Sequence, residues 1–299
     1  MVDHAVSTAP SGRTIGPALA QGARWLLRHK TLTIGLAIWS VVLLAAAFPS
    51  LLTSGNPDTQ DLLTRLSRPG TPDHPLGTDE LGQDVYTRLV YGARTSVEVG
   101  FGAVLVGGLI GVIAGVIAGY FRRAGAIVTW LIDVKMAFPG LLLALAIVVM
   151  LGQSNVVVLA IVLGLTGWTA YARILRGLVM SLREREFVVA SRANGFGALR
   201  TIVAHILPNV AGTISVLAVL DLSRAVLSEA GLSFLGLGIQ PPVVSWGLML
   251  GTSQDYLYVA WWLVTFPGLA IALAVLAANM IANTLQTKMD PERRTVKRV

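Results

Sequence analysis

Asp221, Arg224 and Glu229 stand out because they sit in an apolar run, Val210–Gly231. Ionisable groups at such depth are expensive, and they face a cavity, a partner or one another. Asp221 and Arg224 are three apart, so one helix face carries both. Glu229 is eight beyond Asp221, near the same face and towards the end of the run. A self-neutralising structural pair is one reading. The other is a lining for a translocation path that passes a zwitterion, or proton sites at Asp221 and Glu229 of a gradient-driven transporter. Little else resembles catalytic machinery. The histidines at 4, 29, 74 and 205 are scattered and form no HExxH, which argues against a metalloprotease site. No GxxxxGK[ST] occurs, so the chain does not cradle ATP phosphates by that route. Ser233 in GLSFLG is the one serine placed to suspect, and no histidine lies in a span to activate it. Cysteine is absent, which removes thiolate chemistry and disulfides.

The elements that position these groups are membrane spans. The 299 residues are 54% hydrophobic and only 13% charged, with a mean hydropathy of +0.70. A soluble domain carries about twice that charge. Six runs approach the roughly 20 residues a crossing needs: 31–52, 96–120, 137–151, 155–172, 210–231 and 259–285. The first starts too far in, and is too long, to be a secretory leader. With the N-terminus inside, segments 1–30, 121–136, 173–208 and 286–299 hold 18 of the 23 Lys and Arg residues. The outer segments hold 4. That asymmetry predicts both termini in the cytoplasm and accounts for the basic surplus without nucleic acid. The organisation expected is an N-terminal segment 1–30, a first span with a long outer loop over 31–95, a five-helix core over 96–285 and a tail over 286–299.

Finer features follow. Leu81, Val85 and Leu89 recur every fourth residue, which predicts a short amphipathic helix on the outer surface. Glycines at 107, 111, 115 and 119 have the small-xxx-small spacing of close helix packing. Pro139 turns an amphipathic lead-in from Ala124 into the third span. Trp261 and Trp262 read as interface anchors.

The inner segment 176–208 contains EFVVASRANGFGALRTIVAHILPN. Ser181 and Glu184 have capping-box spacing, which predicts a helix over 182–194 ended by Gly195. A second helix is expected over 196–207, with Phe196, Leu199, Val203 and Ile206 as one apolar stripe. Pro208 ends it or begins the next span. Such a hairpin lies on the membrane surface or docks its stripe into a partner's groove.

This segment resembles the cytoplasmic-loop motif of ABC importer permeases, roughly EAA, three residues, Gly, nine residues, then I-x-L-P. Val189, Ala190 and Ser191 stand at the EAA positions, Gly195 at the Gly, His205 at the Ile, and Leu207–Pro208 at the L-P. HPLGTDELGQDVYTRLVYGAR (74–94), AFPGLLLAL (137–145), LSEAGLSFLGLGIQPPVVSWGLML (227–250) and KMDP (288–291) are similar to the C-type subunits of the dipeptide, oligopeptide and nickel permeases. The resemblance implies an all-α, six-span type I importer fold in a bacterial inner or plasma membrane. It implies a homologous B-type permease partner, an extracytoplasmic binding protein, and two ATPase subunits or one fused ATPase. Those subunits would bind ATP and Mg; this chain would carry no cofactor, perform no catalysis and contact membrane lipid. It also implies that Ala190, Ser191, Gly195, Phe196, Leu199, Val203, Leu207 and Pro208 couple the spans to the ATPase. Peptides are the expected cargo, with nickel or another small solute as alternatives.

Overall fold

A computed structural model describes residues 30–152 and 154–289. The expected inner segment 1–30, apart from Lys30, and the tail beyond Met289 lie outside the described residues. The fold is all-α: the described residues hold helices and two isolated bridges, Thr71–His74 and Thr78–Asp84. We number the main helices α1 (Lys30–Ala47), α2 (Val85–Tyr120), α3 (Arg122–Met136), α4 (Gly140–Leu151), α5 (Val156–Arg183), α6 (Glu186–Ala193), α7 (Ala198–Thr201), α8 (Leu207–Phe234), α9 (Trp246–Thr252) and α10 (Trp262–Met289). Five stretches are long and apolar enough to cross a membrane, and the pair α3–α4, bent by 84°, makes a sixth.

Helix boundaries follow local chemistry. The first span stops at Ala47 rather than Leu52, because Pro49 opens a separate turn, Pro49–Leu52. The outer amphipathic helix and the second span are one helix. Asp84 caps its first turn by accepting from Thr87 N at 2.8 Å, and no proline interrupts the following 36 residues. The lead-in before Pro139 is present as α3, and Pro139 stands at the start of α4.

The capping box at Ser181 and Glu184 does not form. α5 runs on to Arg183, eleven residues past the expected end of its span, and Glu184 closes it. Glu184 accepts from the neighbouring Arg183 at 2.7 Å instead of capping a new helix. Pro208 begins the next span, one of the two expected outcomes. It occupies the first turn of α8, where its missing N–H matters least. Just before it, residues Ile202–Ile206 form a π turn, closed by Leu207 N donating to Ile202 O. A widened turn relieves the clash between a proline ring and the carbonyl four residues earlier.

Lipid tails are as apolar as leucine, so packing rather than hydrophobicity must hold the spans together. The glycine row does this between α2 and α5. A Cβ at Gly107, Gly111, Gly115 or Gly119 would lie 2.4–2.9 Å from backbone oxygens of Gly164, Trp168, Ala172 and Arg176. α1 meets α10 at Gly35 and through Trp39 Nε1, which donates to Ala274 O at 3.1 Å. Trp261 is exposed, as an interface anchor would be, but Trp262 is not: it is 2% exposed and donates to Thr78 O at 3.2 Å. It ties the long loop to the bundle. In that loop, burial pushes the Asp79 carboxyl above its ordinary value, opposed by Arg88 and by backbone N–H donors.

Candidate functional site

Two regions hold the predicted site residues. The first is an intramembrane cavity of about 380 Å³ between α3, α5 and α8. α8 presents Asp221 and Arg224 one turn apart, and Arg224 Nε donates to Asp221 Oδ1 at 2.6 Å. Arg224 Nη2 reaches across to Leu163 O on α5 at 3.1 Å. Gly167 makes room for it, since a Cβ there would lie 2.3 Å from Nη2. Tyr171 OH donates to Asp221 Oδ2 at 3.4 Å. Both line the cavity, the Asp221 side chain 6% exposed and that of Arg224 38%. Lys135, from the end of α3, lines the same wall.

Lys135, Tyr171 and Gly167 were not among the predicted site residues. Their signal in the sequence was weak. Tyr171 stands alone in an apolar run, and Lys135 looks like any basic residue of an inner loop. With Lys135 included, the cavity carries two cations against one anion.

Glu229 does not join this cavity. It is 0% exposed. Ser233 Oγ and Ser245 Oγ each donate to its Oε1 at 2.8 Å, and Ser96 Oγ donates to Oε2 at 3.1 Å. Ser233 Oγ in turn accepts from Ile239 N, and Ser245 Oγ accepts from Leu248 N to cap α9. Glu229 therefore joins α2, α8 and α9, and a side chain so enclosed lines no open path in this chain. The helical wheel put it near Asp221, but the crossing of α2 over α8 encloses it. Ser233, the one serine suspected as a nucleophile, is committed to the same network.

The second region is the loop between α5 and α8. α6 ends in a Schellman motif: Phe196 N donates to Ser191 O at 3.2 Å and Gly195 N to Arg192 O at 3.0 Å. Gly195 has φ +78°, the left-handed conformation that glycine adopts without penalty. Ser191 is buried and lies 3.3 Å, Oγ to Oγ1, from Thr201, which pins α6 to α7. Phe196, Leu199 and Val203 are 37%, 76% and 55% exposed. Arg200 covers the Phe196 ring at 4.1 Å. Ala190 and Pro208 are also exposed, and Leu207 is half-buried. Ile206, expected on the same stripe, is fully buried against Tyr171, Leu175 and Val179. The π turn shifts the register and rotates it inward.

A large side chain 76% exposed on a helix is a surface waiting for cover. The stripe has no cover among the described residues. α7, the π turn and α8 together run continuously from Ala198 to Phe234, so Leu199, Val203 and the Asp221–Arg224 pair ride on one rod, with Phe196 two residues before it. The separation from Leu199 to Asp221 is about 33 Å at 1.5 Å per residue.

The model of the binding-protein-dependent transport system inner membrane component matches residues 107–295. The chain is similar to the dipeptide transport system permease protein DppC of Escherichia coli, with 38% identity over 98% of both chains. It is similar to DppC of Alkalihalophilus pseudofirmus, with 41% identity over 90% of this chain and 88% of that one. It is 43% identical to the di/tripeptide permease DppC of Pseudomonas aeruginosa over 73% of this chain and 72% of that one. Residues 107–295 include both the charged cavity and the loop with its exposed stripe. With its multi-span helical architecture, the chain belongs to the binding-protein-dependent transport system inner membrane components, the permeases of ABC importers.

Proposed function

We propose that this chain forms half of the translocation path of an ATP-driven importer of di- or oligopeptides. The binding protein delivers cargo from outside, a homologous permease supplies the other half of the path, and ATPase subunits dock at the basic end, inside the cell. The observation that carries the reading is the uncovered stripe Phe196–Leu199–Val203, just beyond the Gly195 turn, with Leu199 and Val203 on the rod that bears Asp221 and Arg224. Movement imposed on the stripe by nucleotide-driven ATPase closure passes along α7 and α8 to the cavity, and the π turn is the joint with the most room to adjust. A peptide offers a carboxylate to Arg224 and Lys135 and an ammonium to Asp221. The naming of close relatives for dipeptides supports that cargo.

The gradient-driven alternative would need Asp221 and Glu229 to exchange protons with one pathway. Glu229 is enclosed by three serine hydroxyls and does not line the cavity.

Two experiments test the proposal. Leu199→Asp with Val203→Asp changes exposed side chains, so the purified chain is expected to keep its melting temperature within a degree or two. ATPase co-purification is expected to fall at least about tenfold, the consequence of placing charge in an apolar groove. Undiminished co-purification would remove the docking role. The second compares Arg224→Gln alone with Asp221→Asn/Arg224→Gln together. The single change leaves a largely buried carboxylate without its guanidinium and is expected to impair folding more than the double change. The double variant is expected to assemble, yet to transport peptide about tenfold more slowly, as for one lost hydrogen bond to a charged group. Normal transport by an assembled double variant would make the pair purely structural.

A further inference from the structure

A cavity of about 630 Å³ at the basic end shares no lining residue with the charged cavity or the exposed stripe. It opens where α2 ends, α3 begins, α5 ends and α6 passes. Arg122 and Arg123 come from the first turn of α3, Arg183 from the last turn of α5, and Arg192 from α6. One acidic group, Glu184, lies among them. The balance is four positive charges to one negative.

These arginines do not have equal freedom. Arg183 is engaged: Nη2 donates to Glu184 at 2.7 Å, and Nη1 donates to Tyr120 O at 3.2 Å at the end of α2. Arg122, Arg123 and Arg192 are exposed and form no salt bridge among the described residues. The local field is positive enough that the Glu184 carboxyl is held below its ordinary value, first by Arg183 and further by Arg192 and Arg122.

The depth of the cavity points to its occupant. α3 is the basic-end half of the bent α3–α4 crossing, and it starts beside the ends of α2 and α5. Ile127, Trp130, Leu131 and Val134 recur on one face and are 43–64% exposed. That is the pattern of a helix that presents one apolar face to acyl chains. Arg122 and Arg123, at its start, then lie at the level of the lipid phosphates. A soluble anion would need only the arginines; the adjoining apolar face suits a molecule that brings its own acyl chains.

We propose that this cavity binds the phosphate of an anionic lipid headgroup, held by Arg122, Arg123 and Arg192 with the acyl chains along the exposed face of α3. Arg183 positions the site by fixing the end of α2. The proposal concerns neither the cargo cavity nor the docking stripe, and it stands whichever solute is carried.

The test places the full chain in nanodiscs of phosphatidylcholine with or without phosphatidylglycerol and measures retained phosphatidylglycerol by native mass spectrometry. Each interfacial arginine contributes about a fivefold preference for anionic lipid. Arg122→Gln/Arg123→Gln is therefore expected to retain roughly 25-fold less, and Arg192→Gln, on a different helix, about fivefold less. Arg65→Gln/Arg68→Gln removes equal charge from the opposite end and is expected to change nothing. The single Arg192 variant keeps the test valid should the double variant fold poorly. Equal losses in the variants at both ends would overturn the site, leaving only a general charge effect. Displacement of the lipid from the unaltered chain by millimolar inorganic phosphate would overturn the lipid assignment in favour of a soluble anion.

Discussion

Replacing Gly111 with alanine is expected to remove most folded protein, although a single methyl group is added to an otherwise good helix position. The new Cβ would lie 2.4 Å from Trp168 O and 2.5 Å from Tyr171 Cβ. The first of these atoms is backbone, so relief requires α2 and α5 to move apart along their length. Overpacking of this kind costs about 3 kcal/mol or more where backbone must move. The adjacent position provides the control. A Cβ at Gly108 meets only the Tyr171 ring, at 3.6–3.7 Å, which is ordinary contact. Gly108→Ala is expected to be neutral or slightly stabilising, because alanine favours a helix by up to about 1 kcal/mol over glycine. Thermal unfolding of both variants in the same detergent would measure the contrast. Equal melting temperatures would mean that the glycine row does not set the distance between these helices. The Gly111 effect should also reach the cavity, because Tyr171 both packs on Gly111 and donates to Asp221.

Glu229→Leu is the second large effect. Three serine hydroxyls from α2, α8 and the α9 cap lose their acceptor in a site closed to water. At about 1 kcal/mol for each unmade bond, the loss is on the order of 3 kcal/mol. Glu229→Gln retains the shape and one carbonyl acceptor, and Ser96 can reverse its role to accept from the new amide. Its cost is expected to be less than half as great. The difference should appear as a melting-temperature gap of about 5 °C between the two variants. A gap near zero would show that the hydroxyls find other partners. Loss of this junction is also expected to loosen the segment between α8 and α9, because Ser233 and Ser245 each fix a backbone N–H there.

Much of the architecture was legible in the residues. Spans are recognisable because lipid imposes a local rule: about 20 apolar residues with every backbone group satisfied internally. Gly195 was legible for a similarly local reason, since a left-handed helix end favours one residue type. The exposure of Leu199 and Val203 follows from helical periodicity. Expectations failed where a distant contact overrode the local pattern. Ser181 and Glu184 have capping-box spacing, but α5 packs against α2 and continues past Ser181 to Arg183. Trp262 looks like an interface anchor in the sequence, but its indole N–H is engaged by Thr78, 184 residues away.

The charged residues divide in the same way. Spacing alone determined that Asp221 and Arg224 share a turn, because three residues bring side chains together on any helix. Spacing could not separate Glu229 from them. That was decided by Ser96, 133 residues earlier, which crosses α8 at Glu229 and not at Asp221. Nor could spacing add Lys135 to the cavity, since it arrives on a different helix after a bend. Hydropathy and turn chemistry act over a few residues and can be read from their order. Which charge is enclosed and which faces the cavity depends on where helices cross, and only the tertiary structure decides that.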